Sequence, residues 1–376
     1  MLSRTPPMGF NTWNTFGPAI SDAVIRETAD AMVEKGLRDA GYEYLVIDDC
    51  WSMHERDPET DRLVPDPQKF PRGIKDLADY VHGKGLKFGI YSCDGVMTCT
   101  RYPGSFDHEY LDAETFAGWG VDFLKYDNCF KPEAANGPLL YRRMAMALRA
   151  SGRDILFSAC NWGADDVQNW IRSSGAHMYR STGDINDSFV SFRDIYMSQM
   201  DKFAYSAPGC FNDVDMLTCG MYGKGNVAVT GCTDDEYRTE FVLWCMSSAP
   251  LMLGCDVRSV SDATLKLVTN RDLIRIDQDE EGRPPFVARY SGNWGDYFAM
   301  AKVLTGNEIA VALVNLSDGD RYCALLTESI GLAASSGKKL YLRDVFTGEE
   351  LPPVKTCFGR DLPPHSALCY LGRIGD

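Results

Sequence analysis

Phe123-Leu124-Lys125-Tyr126-Asp127 is a short apolar run that ends on a carboxylate, and Tyr44-Leu45-Val46-Ile47-Asp48-Asp49 has the same form. Runs of this length, aromatic and β-branched with an acid at the exit, are what a strand buried on both faces of a parallel sheet requires. Working outward, six more stretches fit the pattern: Gly9-Phe10-Asn11-Thr12-Trp13, Lys87-Phe88-Gly89-Ile90-Tyr91, Ile155-Leu156-Phe157-Ser158, His177-Met178-Tyr179-Arg180, Phe211-Asn212-Asp213 and Pro250-Leu251-Met252-Leu253. Between them, residues 23–35, 74–83, 113–118 and 138–150 carry apolar residues every three to four positions, the helical period. Gly36, Gly83 and Gly152 stand where helix ends favour a left-handed residue. Eight strands alternating with helices predict a (β/α)8 TIM barrel. The rival, an open doubly wound sheet, lacks a Gly-x-Gly-x-x-Gly after its first strand.

Past Asp277-Gln278-Asp279 the pattern changes. Glu281-Gly282-Arg283-Pro284-Pro285 is linker-like, and Phe298-Ala299-Met300-Ala301-Lys302-Val303, Ile309-Ala310-Val311-Ala312-Leu313-Val314, Lys339-Leu340-Tyr341-Leu342 and Ala367-Leu368-Cys369-Tyr370-Leu371 are β-type runs separated by turn residues. The expected organisation is a catalytic barrel over 1–283 and a C-terminal antiparallel β-sandwich over 284–376.

The 376 residues exceed what one hydrophobic core usually serves, and the 45% hydrophobic and 24% charged fractions are those of a globular chain. A formal charge of −15 repels phosphate backbones, so nucleic acid is not an expected partner. No apolar run is long enough to span a bilayer, and the first ten residues hold no secretory apolar stretch, so the expected location is cytoplasmic and no membrane partner is expected. Thirteen cysteines without zinc-type spacing are expected to be mostly reduced core thiols. No cofactor is expected, and a homo-oligomer stays open.

Barrel enzymes place their chemistry at the C-terminal ends of the strands. Here those ends hold Asp48, Asp49, Asp127, Asp184 and Asp215, with the aromatics Trp13, Tyr91 and Trp162 in matching positions. Carboxylates accept hydrogen bonds from sugar hydroxyls, and aromatic faces cover the apolar face of a sugar ring. Glycosidic cleavage needs one carboxylate to attack or to activate water, and one carboxyl to protonate the leaving oxygen. Asp127, beside Lys125, is expected to be held ionised, as suits a nucleophile. Asp184, in Arg180-Ser181-Thr182-Gly183-Asp184, needs a raised pKa to serve as acid. Each feature also has a plain structural reading. An Asp at a strand end is commonly a turn former or helix N-cap, Trp13 and Trp162 suit a core, and Asp48-Asp49 could make an all-oxygen Mg²⁺ site.

At these residues the chain resembles glycoside hydrolase family 27, the clan D α-galactosidases and α-N-acetylgalactosaminidases, nearly end to end. The resemblance is carried in order by Arg4-Thr5-Pro6-Pro7-Met8-Gly9-Phe10-Asn11-Thr12-Trp13-Asn14, Tyr44 to Trp51, Phe88-Gly89-Ile90-Tyr91-Ser92, Leu124-Lys125-Tyr126-Asp127-Asn128-Cys129, Arg180 to Ile185, Asn212-Asp213-Val214-Asp215-Met216-Leu217 and Ala249 to Asp256. It implies a retaining exo-glycosidase that removes terminal α-D-galactosyl residues through a covalent intermediate, with Asp127 as nucleophile and Asp184 as acid/base. It further implies that Asp48 and Asp49 hold O4 and O6, Lys125 the O3/O4 side and Arg180 the O2 side, with Trp13, Tyr91, Asp215 and Met216 completing the sugar pocket. Cys160-Asn161-Trp162-Gly163 resembles the family's Cys-Glu-Trp-Gly, in which Cys160 and Trp162 would crowd the C2 side and exclude an N-acetyl group. Cys99 and Cys129 keep the positions of a family disulfide, whereas Cys50 lacks its usual mate. Ser92-Cys93-Asp94-Gly95 and Gly209-Cys210-Phe211 depart from the usual Ser-Asp-Ala-Gly and Gly-Gly-Trp. Alternatives are a β-L-arabinopyranosidase or α-N-acetylgalactosaminidase of the same family, a non-catalytic galactose-binding protein, and a metal-dependent barrel hydrolase.

Overall fold

A computed structural model describes residues 2–288 and 295–376. Eight parallel strands form the main sheet: β1 (Met8–Asn11), β2 (Tyr44–Val46), β3 (Lys87–Cys93), β4 (Phe123–Asp127), β5 (Leu156–Cys160), β6 (Met178–Arg180), β7 (Phe211–Asp213) and β8 (Leu251–Leu253). They pair in sequence order, and β8 closes back onto β1 with Met8 opposite Leu251. Between β7 and β8 there is no ladder. Leu217 stitches this seam, donating its N–H to the Met252 carbonyl at 2.8 Å and accepting from the Gly254 N–H at 2.9 Å. All eight anticipated strands are present, with ends moved by one to a few residues. One displacement matters: Trp13 begins a helical turn (Trp13–Phe16) after β1 instead of closing the strand.

The barrel interior is filled by Tyr44, Val46, Phe123, Leu156, Met178, Met216 and Met252, a packed plug of the kind such barrels need. Gly89 on β3 leaves space for it, because a Cβ there would come within 2.6 Å of Val46 Cγ2. Outside, helices bury the faces that their periodicity marks. In Asp22–Glu34, capped by the Ser21 side chain, Ile25, Ala29 and Met32 are buried at spacings of four and three. Asp234–Met246 begins with a capping box in which Thr233 and Glu236 exchange side-chain to backbone bonds. Gly36 and Gly152 adopt the expected left-handed backbone, with φ of 74° and 76°. Gly83 does not. It is the last residue of the helix Gly73–Gly83, and Gly85, φ 74°, makes the turn two residues later.

The C-terminal part has two layers. A five-stranded antiparallel sheet contains β9 (Phe286–Val287), β10 (Tyr297–Leu304), β11 (Glu308–Asn315), β13 (Lys339–Asp344) and β15 (Ser366–Gly375). A two-stranded sheet of β12 (Arg321–Leu326) and β14 (Cys357–Leu362) covers one face, packing Cys323, Leu325 and Phe358 against Val311, Leu313 and Leu340. The opposite face of the larger sheet packs on the barrel: Phe298, Met300, Ala310, Ala312 and Val314 share one core with Trp244, Leu243 and Ile276. Lys302 of β10 lies fully buried in this contact and donates to the Ile276 carbonyl at 2.6 Å and to Ser248 Oγ at 2.5 Å. Among the described residues, no helix is long and apolar enough to cross a membrane.

Candidate active site

The exits of β1, β2, β3, β4 and β6, with the loops after β5 and β7, converge on a pocket of about 120 Å³ lined by Trp13, Asp48, Asp49, Tyr91, Lys125, Asp127, Trp162, Arg180, Asp184, Asp215 and Met216. Sequence reasoning singled out each of these. Cys160 is the exception: it lines a smaller cavity beneath, between Lys125, Ser158 and Arg180, because the last residue of β5 points into the barrel and only the following loop reaches the mouth. Cys99, Asn14, Ile185 and Val227 also line the pocket. Asn14 and Ile185 adjoin Trp13 and Asp184, and only Val227, far from any strand exit of the barrel, left no signal.

Asp48 and Asp49 are each 2% exposed and are held by dense hydrogen bonding. Asp48 Oδ2 accepts from Lys125 Nζ and from Asn11 Nδ2, both at 2.8 Å. Its Oδ1 accepts from the Asp49 N–H at 3.0 Å, and its own N–H donates to Thr12 Oγ1 at 2.9 Å. Asp49 accepts from the backbone N–H groups of Cys50 and Thr100, at 2.7 and 3.1 Å. Burial still raises the Asp49 pKa against these bonds. On the opposite wall Arg180, 5% exposed, bonds through Nη1 to Asp215 at 2.9 Å and through Nη2 to Asp184. Asp215 has φ of 82°, and its carboxylate accepts from the Ile185 and Met216 N–H groups, each at 2.7 Å. That left-handed turn aims its carboxylate back at Arg180. The neighbouring Asp213 is pushed up to about 7 by burial and by the charge of Asp215.

Asp127, the last residue of β4, is 6% exposed. Its Oδ2 accepts from the Tyr91 hydroxyl at 3.1 Å, so Tyr91 orients the carboxylate as well as forming a wall. Here the structure corrects an expectation. Lys125 does not bond Asp127 but turns to Asp48, and Asp127 is raised to about 6: burial dominates, the charges of Asp48 and Asp184 add to it, and Lys125 and Arg180 only partly oppose. Asp184 departs in the other direction. Burial would raise it, but the charge and hydrogen bond of Arg180, with help from Lys125, hold it below the usual carboxylate range. Its side chain is 77% exposed. The buried carboxyl therefore carries the raised pKa and the exposed one the lowered pKa, a sum over surroundings that no local sequence window contains.

Cys99 and Cys129 are disulfide-bonded, with Cα atoms 5.1 Å apart, and the other eleven cysteines are free thiols. Ten of those are buried, Cys50 among them, its Sγ 3.3 Å from Thr100 Oγ1. Where Asp48 and Asp49 were open to a metal reading, their oxygens are occupied by Lys125, Asn11 and backbone N–H groups. A lysine ammonium bonded to the would-be ligand disfavours a cation there.

A barrel whose strand exits gather two unequal carboxyls, a ring of hydrogen-bonding groups and aromatic walls has the make-up of a glycoside hydrolase site. The chain belongs to glycoside hydrolase family 27: the alpha galactosidase A family model (Melibiase_2) matches residues 5–279. It is 42% identical over 371 residues to the alpha-galactosidase of Cyamopsis tetragonoloba, covering 98% of this chain and 86% of that protein. The crystal structure of alpha-galactosidase I from Mortierella vinacea superposes with a TM-score of 0.89 at 31% identity, covering 99% of this chain and 97% of that one. The Saccharomyces cerevisiae alpha-galactosidase solved with raffinose superposes with a TM-score of 0.90 at 27% identity, covering 100% of this chain and 98% of that one.

Proposed function

We propose that this enzyme is a retaining exo-α-galactosidase in which Asp127 attacks the anomeric carbon and Asp184 serves as acid/base. The observation that carries this reading is one pocket with a buried, Tyr91-oriented carboxyl on one wall and an exposed, Arg180-held carboxyl on another. In the first step Asp127 forms a bond to C1 as the leaving oxygen departs with the proton of Asp184, giving a β-galactosyl ester. Asp184, now a carboxylate, then takes a proton from water as the water oxygen attacks C1 and the ester breaks. Two inversions retain the α configuration. Relatives named as alpha-galactosidases support galactose as the sugar. So does the Asp48–Lys125 pair: a sugar lacking the axial O4 leaves these buried polar groups short of a partner, which costs about 1–3 kcal/mol. The raffinose complex of the yeast protein supports terminal galactosides of oligosaccharides as substrates.

A panel of p-nitrophenyl α-D-galactopyranoside, α-N-acetylgalactosaminide and β-L-arabinopyranoside, with the first-formed anomer followed by NMR, tests the proposal. Release of α-galactose from the first, at the highest kcat/KM, is the expected result. Preference for another glycoside, or a β first product, would overturn the sugar or the mechanism.

The site also fixes an expected pH profile. Asp127 titrates near 6 and Asp184 below the usual carboxylate range, so over the interval between them the pair holds one proton. The reacting form has that proton on Asp184 and the charge on Asp127. It is one arrangement of the singly protonated pair, so kcat/KM should follow the population of that pair. Activity is expected to rise through the lowered pKa of Asp184 and to fall as pH climbs past about 6. A plateau extending well above that value would contradict the assignment.

Trp162 lines the pocket with φ of 58° and is 38% exposed. Trp162→Ala is expected to admit the N-acetylgalactosaminide, which the intact protein excludes, while lowering kcat/KM for the galactoside by roughly 10-fold through lost ring contact. Unchanged exclusion of the N-acetyl sugar would move that specificity to another residue.

A further inference from the structure

The disulfide Cys99–Cys129 stands directly against the catalytic carboxylate. Cys99 is exposed and lines the pocket, and Cys129 is two residues beyond Asp127 on the exit of β4. Both Sγ atoms and a carboxylate oxygen of Asp127 lie within 4.8 Å of one another. The Tyr91 hydroxyl bridges the group, 3.1 Å from Asp127 Oδ2 and 3.9 Å from Cys129 Sγ. Two sulfurs and one carboxylate oxygen are donors of the kind zinc takes, and parting the sulfurs by reduction lets them spread to the separation that tetrahedral ligands require. While the sulfurs are bonded to each other they cannot serve as thiolate ligands.

We infer that reduction of Cys99–Cys129 turns the active site into an inhibitory Zn²⁺ site, with the Cys99 and Cys129 thiolates and the Asp127 carboxylate as ligands and water in the fourth position. This rests on Asp127 being the nucleophile. The reductant is a dithiol. One of its thiolates attacks the exposed Cys99 sulfur, the disulfide breaks, and Cys129 leaves as thiolate. The second thiol of the reductant then displaces Cys99 and closes the reductant's own disulfide, so two electrons and two protons pass to the protein. Zn²⁺ entry releases the protons of both thiols. Thiolate ligands select Zn²⁺ over Mg²⁺ or Ca²⁺, and metal on Asp127 removes the lone pair that attacks C1.

The full-length protein, before and after dithiothreitol treatment and desalting under argon, is titrated with Zn²⁺ while galactoside hydrolysis is followed, and in parallel with Co²⁺ as an absorbing probe. The expected results are two additional thiols after native reduction, inhibition by one equivalent of Zn²⁺ reversed by EDTA, and a thiolate-to-cobalt absorption band. All should be confined to the reduced protein, with Mg²⁺ without effect. A Cys99→Ser, Cys129→Ser double variant, compared with its own zinc-free rate, should show neither inhibition nor band. Equal zinc sensitivity of the oxidised protein, a band in the double variant, or no gain of thiols on reduction would overturn the inference. A cobalt band on reduction without any loss of rate would overturn the inhibition and also count against Asp127 as nucleophile. Absence of the band would overturn the metal site alone.

Discussion

Asp127→Ala is expected to lower kcat toward p-nitrophenyl α-D-galactopyranoside by about 10⁴-fold or more, with the thermal midpoint unchanged or raised. On the proposed mechanism the substitution removes the atom that bonds to C1, and it leaves Asp184, Arg180 and the rest of the pocket lining intact. It also removes a carboxyl that folding keeps at 6% exposure against its preference for water, so stability has no reason to fall. The space left behind, beside the Tyr91 hydroxyl, fits a small anion. Added azide is therefore expected to restore part of the rate and to yield β-galactosyl azide, because azide enters from the face that Asp127 occupied. Azide product of α configuration, or a variant with nearly full kcat, would show that another group is the nucleophile.

The second large effect is structural. Lys302→Ala is expected to destabilise the protein by about 3–5 kcal/mol, measured as a fall in urea or thermal midpoint. Lys302 is 0% exposed and sits where the C-terminal sheet meets the barrel. Burial pushes its ammonium down to about 8, and Asp277, itself raised by burial, opposes that shift. Deleting the ammonium removes the donor for the Ile276 carbonyl and for Ser248 Oγ, and leaves a void between helices that end nearby. Lys302→Met, which refills the volume without the charge, should recover a good part of the loss. A change below about 1 kcal/mol in the alanine variant would mean that water replaces the ammonium at little cost.

Much of the fold was legible because its strands are nearly continuous apolar runs, a pattern that few other surroundings produce. Two longer strands of the C-terminal part that escaped notice differ in kind. In β12 and β14, exposed and buried positions are mixed, Arg321 and Tyr322 outside and Cys323 to Leu325 inside, and Arg360 and Asp361 interrupt the second. Strands that shield only one side of a small sandwich carry half the hydrophobic signal. For the site, position along the chain was enough to find most of the pocket's lining, since strand exits are fixed by the strands. It did not reveal their partners. Lys125 precedes Asp127 by two residues yet reaches past β3 to Asp48 at the exit of β2, and Asn11, unassigned from sequence, holds the same oxygen. The ordering of the Asp127 and Asp184 pKa values inverted for the same reason. It depends on Asp127 being enclosed and Asp184 being paired with Arg180, which are distances across the barrel.

The seam between β7 and β8 gives the barrel one place where a turn takes over from a ladder. Everywhere else, neighbouring strands are tied by paired registers, but here one residue, Leu217, makes the connection. Beyond Asp213, which pairs with Arg180 of β6, the backbone joins no ladder, and its left-handed turn at Asp215 brings Asp215 and Met216 to the pocket. The break in the ring is thus where continuity of the sheet is exchanged for reach into the pocket.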